Sequence, residues 1–205
     1  SGLDVQGKLI AIGKKHKFIT FTSLYDNGNR DLDTAYPGDW YGLLVRGDYS
    51  ALKYVHIKYA GEPGFQGKAP SFSVMLMGRF VHMTNSVIEN GAGNGVWLHF
   101  YRHGLVHNNL IQHHSGHGVL ATESVADVFR NTIQNNEKNG VVIEGQINLH
   151  ANFIRNNGEN GVTVKAPRRT PQIHDNVISH NQGAGLKILA GRPRLHDNFL
   201  HDNLN

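Results

Sequence analysis

The sequence predicts an all-β solenoid, a single-stranded parallel β-helix of about 8 coils with three short strands in each. Three observations predict it. First, one phrase returns six times: Ser86-Val-Ile88, Asn109-Leu-Ile111, Asn131-Thr-Ile133, Asn152-Phe-Ile154, Asn176-Val-Ile178 and Asn198-Phe-Leu200, in steps of 23, 22, 21, 24 and 22 residues. Second, a glycine stands nine residues after the start of each of the first five (Gly95, Gly118, Gly140, Gly161, Gly185) and leads into an apolar run such as Val96-Trp-Leu98 or Val141-Val-Ile143. Third, an apolar residue precedes each phrase by three positions: Met83, Val106, Val128, Leu149, Ile173, Leu195. About 22 residues is too short for a helix pair with its turns and suits three strands and three turns.

Inward and outward residues alternate along a strand. The spacing therefore sets three apolar columns toward the core and one column of asparagine at a corner. Asparagine suits a corner because it tolerates the left-handed conformation, and its amide can bond to the copies above and below. Glycine fits another corner for a similar backbone reason. A single coil cannot bury its own apolar residues, so stability comes from stacking neighbours about 4.8 Å apart.

In chain order, Leu3-Asp-Val5, Leu9-Ile-Ala-Ile12 and Phe18-Ile-Thr-Phe-Thr22 read as the opening strands, and residues 24–38 as a polar loop. Leu43-Leu-Val45, Leu52 and Val55-His-Ile57 make the next coil, with Val55 at the position later taken by asparagine. Residues 60–71, rich in Gly and Pro, read as a second loop. Val74-Met-Leu76 resumes the winding, and Ser86 stands in for asparagine. The expectation is one domain over 1–205, with both loops emerging on the edge beside the first strand of a coil. The chain opens inside a strand phrase and closes mid-coil at Asp202-Asn203, which suggests a segment of a larger protein. Uncapped strand edges invite end-to-end or face-to-face self-association.

The stretches Asn131-Thr-Ile-Gln-Asn-Asn-Glu-Lys-Asn-Gly140 and Asn152-Phe-Ile-Arg-Asn-Asn-Gly-Glu-Asn-Gly161 resemble repeats of the right-handed parallel β-helix, or pectin-lyase-like, superfamily. The opening strands and Pro37-Gly-Asp-Trp-Tyr-Gly42 resemble the first coils of secreted bacterial members. The resemblance implies an extracellular or cell-surface location and a polymer cleft on the outward face of the first strand, walled by loops. It selects no activity, because the fold hosts lyases, hydrolases, epimerases and inert scaffolds. Ser115-Gly-His-Gly118 is similar to a polygalacturonase motif, but the aspartates of that family have no match, and His117 shares a column with Asn94, Asn139 and Asn160. The Asp-Pro-His phrase of mannuronan epimerases is absent.

Composition narrows the rest. There is no cysteine, hence no disulfide or thiolate metal site. No apolar run reaches the roughly 18 residues of a membrane span. The net charge of +4 favours anionic partners, yet the basic residues lack an interleaved stacking platform, which argues against nucleic acid. No cofactor is required.

Several candidate sites follow. Leu44, Met75, Trp97, Leu120 and Val142 share one outward column of the first strand, an apolar stripe that loops, a partner or a sugar ring on Trp97 would cover. The next column runs Arg46, Met77, His99, Thr122, Glu144, Lys165, Leu189. His99, Tyr101 and Arg102, with Arg46, would supply the proton-transfer and carboxylate-neutralising groups of a uronan lyase or epimerase. Lys165, Arg168, Arg169, Lys187, Arg192 and Arg194 form a basic patch that could grip an acidic polymer. His107, His150, His174 and His196, interrupted by Phe129, share one outward column, but a flat ladder does not give a tetrahedral metal set. Asp26, Asn27, Asn29, Asp31 and Asp33 alternate oxygen ligands and make calcium possible. The favoured reading is a non-catalytic, carbohydrate-binding or adhesive module. The alternatives are a lyase or epimerase on uronic-acid polymers and a ligand-free scaffold.

Overall fold

The computed structural model describes residues 2–26, 34–62 and 71–205. Every strand pairing in it is parallel, and three faces wind in sequence around one core. Face one carries Leu3–Val5, Leu43–Val45, Phe72–Leu76, Asn94–His99, Val162–Lys165 and Leu186–Ala190. Face two carries Ile10–Ile12, Ala51–Lys53, His82–Thr84, Arg102–His107, Gln172–His174 and Arg194–His196. Two long strands, Val119–Phe129 and Val141–His150, turn the corner and join these faces into one sheet. Face three is a separate eight-stranded sheet running from Ile19–Phe21 to Phe199–His201. The five turns between Ser86 and Asn198 follow one another with one short insertion, within residues 166–171.

The repeat phrases fall in register. Ile88, Ile111, Ile133, Ile154, Ile178 and Leu200 pair rung to rung on face three. Leu52, Met83, Val106, Val128, Leu149 and Ile173 do so on face two, and all six are fully buried. The apolar columns read from the sequence are therefore the core, except in the final turn, where Ile188, Leu195 and Leu200 are exposed. Truncating one such residue to alanine removes its burial and leaves a cavity, a loss of about 2–5 kcal/mol.

The asparagine ladder is present as a continuous column of amide links. Asn109, Asn131, Asn152 and Asn176 each donate from Nδ2 to the Oδ1 of the next asparagine, at 3.0, 3.0, 3.0 and 2.9 Å. The same Oδ1 atoms accept the backbone N–H of the turn before. Ser86 heads the column, with its N–H on Asn109 Oδ1 and its hydroxyl oxygen accepting from Val55 N.

Two details differ from the expectation. The ladder residues are not left-handed; the residues ahead of them are, Asn85, Asn108, Arg130, Ala151, Asp175 and Asp197. Asparagine is selected at the ladder by its two-way amide, not by φ. A second ladder also exists, Asn136–Asn157–Asn181–Asn203, with amide links of 3.0, 3.0 and 2.9 Å. The glycines at 95, 118, 140, 161 and 185 are likewise not at positive φ. They are there for space: a Cβ on Gly118 would lie 2.5 Å from Ile133 Cγ2 and 2.8 Å from the Asn136 amide nitrogen. The second ladder thus dictates the glycine column.

Candidate functional site

The outward column of face one is closed. Leu44, Phe72, Met75, Trp97, Leu120 and Val142 are buried together as a second apolar cluster, with Met77 packed against it. Phe72 stands at the exit of the second loop and packs its ring 6.0 Å from that of Trp97. Trp97 is 6 % exposed and spends its indole N–H on Thr122 Oγ1 at 2.8 Å. It offers no open ring face to a sugar, which corrects the expected platform. His99 shares the same hydroxyl, with Nδ1 2.8 Å from Thr122 Oγ1 and its ring 4.8 Å from Trp97. Burial holds the imidazole below its usual range, with Glu123 opposing weakly.

The group of Arg46, His99, Tyr101 and Arg102 is not assembled. The chain turns the corner at Phe100 and His103, both at positive φ. That turn sends Tyr101 inward, where it is fully buried and its hydroxyl donates to the Val81 carbonyl. Burial drives its phenol pKa far above the usual range, so it exchanges no proton near neutrality. Gly104 exists to admit this ring, since a Cβ there would sit 1.9 Å from Tyr101 atoms. Arg102 lies past the corner on face two, opposite Val125. Arg46 is tied to Asp4 at 3.0 Å, with the Met77 rung between it and His99. The catalytic expectation fails at Tyr101 because the outward alternation breaks at the corner.

The basic patch is real surface and has shape. Pro167, Arg168, Arg169, Thr170, Gly191 and Arg192 line a recess of about 510 Å³ where face one turns toward face two in the last turns. Arg168, Arg169 and Arg192 are exposed, and among the described residues no ion pair involves them. An adjoining recess of about 360 Å³ shares Pro167, Arg168 and Arg169 and adds Glu123, Glu144 and Lys165. Gly191, at φ +105°, lets the chain pass close to Ala166, whose carbonyl oxygen would stand 2.5 Å from a Cβ. Lys187 is exposed but sits one column away, paired with Thr163, and lines neither recess. Arg194 lies on face two, opposite Gln172. A register shift pairs Lys165 with Ala190, so Leu189 leaves the column that the spacing assigned to it.

The other candidates divide. His107, Phe129, His150, His174 and His196 form a continuous parallel stack, with centroids 4.6, 4.9, 4.9 and 4.5 Å apart and interplanar angles of 10° or less. His117 Nδ1 accepts from the Asn139 backbone N–H at 3.2 Å, the role of an asparagine carbonyl in its column. Asp26 receives Lys58 Nζ at 2.5 Å and the Thr22 hydroxyl at 2.7 Å. Asn27, Asn29, Asp31 and Asp33 lie outside the described residues.

A family model described as the right handed beta helix region matches residues 40–203. The chain belongs to the right-handed β-helix family. No curated protein sequence matches it. Among solved structures, the crystal structure of the periplasmic alginate epimerase AlgG is similar, with a TM-score of 0.57 and 11% identity over 95% of this chain. The match spans 58% of that protein. At that identity the likeness speaks for the β-helix fold alone. Among the described residues no helix is long and apolar enough to cross a membrane.

Proposed function

We propose that this β-helix is a non-catalytic module that holds an acidic polysaccharide outside the cytoplasm. One observation carries the reading: Arg168, Arg169 and Arg192, none of them in an ion pair among the described residues, line a single recess with no carboxylate among its lining residues. Guanidinium forks match carboxylate geometry and remain charged at any working pH. Successive uronate carboxylates would meet Arg192, Arg169 and Arg168, and then Lys165 in the adjoining recess. Glu123 and Glu144 at that far end limit how far an anionic chain can run. Titration calorimetry with oligomers of mannuronate, guluronate and galacturonate tests this, with a neutral glucan as control. Acidic oligomers bind, the glucan does not, and the affinity falls as salt rises. Equal binding of the glucan, or no binding of any uronate, contradicts it.

The second reading, a uronan epimerase or lyase, draws support from the fold shared with an enzyme named as an alginate epimerase. Against it stands the burial of Tyr101 and the dispersal of Arg46, His99 and Arg102.

A further inference from the structure

The imidazoles of this chain fall into two geometries, and only one of them converges. A ring nitrogen's lone pair lies in the ring plane. Stacked parallel rings therefore aim their lone pairs along parallel lines, as in His174 and His196, 10° apart. His180 and His201 stand at 86° with centroids 5.6 Å apart, so their planes cross. Asp202 sits where they cross. Its Oδ2 lies 2.7 Å from His201 Nδ1 and 3.6 Å from His180 Nε2.

We propose that His180, His201 and Asp202 form a binding site for a zinc-class divalent ion that clips the last turn to the one before it. Ligand atoms of all three lie within 4.8 Å of one another. Bonds of about 2.0–2.1 Å in a tetrahedral site require ligand edges of about 3.3 Å, which these separations bracket. The backbone fixes the placement: His180 and Asp202, at φ +54° and +53°, occupy equivalent left-handed corners one turn apart, each directly ahead of a second-ladder asparagine. His201 pairs with Ser179 on the adjoining strand and packs its ring 4.7 Å from Phe199. Among the described residues Asp202 pairs with no lysine or arginine. Arg155, on the same face, bonds to Gln134 Oε1 on the rung before it. All three side chains remain a third or more exposed, which leaves an entry path and room for a water as fourth ligand. Two neutral imidazoles and one carboxylate suit zinc better than calcium, which takes oxygen. A bound ion takes the place of the hydrogen bond between His201 Nδ1 and Asp202 Oδ2.

The test is calorimetric titration of the untagged full chain with ZnCl2 at about pH 7.5, repeated with Co(II) to read its ligand-field absorption. One ion binds per chain, and the melting temperature rises with zinc. His180→Ala and His201→Ala each weaken binding by at least about tenfold, no less than the loss of an outer-shell partner costs. His196→Ala, which removes a ring from the parallel stack, leaves it unchanged. Both ligand rings lie on the surface, so the variants keep the β-sheet circular dichroism of the parent. Absence of saturable binding to the parent at millimolar zinc overturns the assignment. So does binding that survives both ligand substitutions or that falls with His196→Ala.

Discussion

Gly140 leaves open the space that Asn157 fills. A Cβ on Gly140 would lie 2.9 Å from the Asn157 amide nitrogen and 2.5 Å from Ile154 Cγ2. Gly161 repeats this against Asn181 and Ile178. Gly140→Ala must push apart an amide link and a core isoleucine, and overpacking of this kind costs about 1–3 kcal/mol. Gly7→Ala is the control, since nothing lies within 4 Å of its Cβ and its φ is ordinary. Urea denaturation should show a lower midpoint for the first variant and an unchanged or slightly higher one for the second. Equal midpoints would remove the steric account of the glycine column.

The first ladder makes a graded prediction. Asn152 accepts from Asn131 and donates to Asn176 Oδ1 and the Val128 carbonyl, all buried, and to the part-buried His150 carbonyl. Asn152→Ala strands those partners, at about 1–3 kcal/mol for each buried group left unmade. Asn198 ends the column and is partly exposed. Asn198→Ala should cost clearly less. Thermal melts of both variants decide it, and a terminal loss as large as the interior one would contradict a ladder stabilised by its buried links.

A buried histidine predicts acid sensitivity. His114 is fully buried at the head of the second ladder, with its backbone N–H on Asn136 Oδ1 and its Nε2 3.2 Å from the Ile88 carbonyl. Among the described residues its Nδ1 has no hydrogen-bond partner. Burial is the main cause holding its pKa down to about 4. The folded chain therefore keeps the ring neutral while the unfolded chain takes up a proton below its ordinary value of about 6.5. The stabilisation is complete above about pH 6.5 and is lost as pH falls toward 4, by about 3 kcal/mol at most. His117, half-buried and held down to about 4 chiefly by burial, adds a smaller part in the same window. His114→Asn would carry the ladder up one rung and flatten this limb. Urea midpoints from about pH 7 to about pH 4 measure it; an unchanged slope in the variant would place the acid sensitivity elsewhere.

A second limb lies lower. Glu89 is held down to about 2, first by its hydrogen bond from His56 and then by Gln112, against the cost of burial. Its contribution is present above its unfolded value of about 4.5 and disappears as pH falls through about 2. The carboxylate anchors a polar chain on face three: Gln112 donates to it, Gln134 to Gln112, and Arg155 to Gln134. Glu89→Gln should flatten the stability profile below about pH 4.5 and keep the His114 limb, slightly deepened because the Glu89 charge opposes the lowering of that imidazole. A profile that stays steep would show that other carboxylates govern that range.

These variants also show where the sequence was legible. The columns through Ile133, Val128 and Val141 and the ladder through Asn131 were readable because each position repeats with one chemistry. Asn136, Asn157, Asn181 and Asn203 repeat just as faithfully, five residues after the first ladder. They were missed because asparagine is common at turns and the column begins with His114. The site readings at Trp97 and Tyr101 failed for a different reason. Strand alternation assigns a side to a residue only while the strand runs on, and Phe100 turns the corner. Nor does spacing tell that Phe72 would close over Trp97, or that His180 and His201 would meet edge to face.

The proposed role requires a uronate chain to be held and left unaltered. The most direct measurement is proton NMR of oligomannuronate mixed with the protein at near-equal concentration and followed for a day. The prediction is broadened anomeric signals that sharpen with salt and with an Arg169→Glu/Arg192→Glu variant, and no change in sugar composition. New guluronate or unsaturated-uronate signals, or sharp lines throughout, would contradict it.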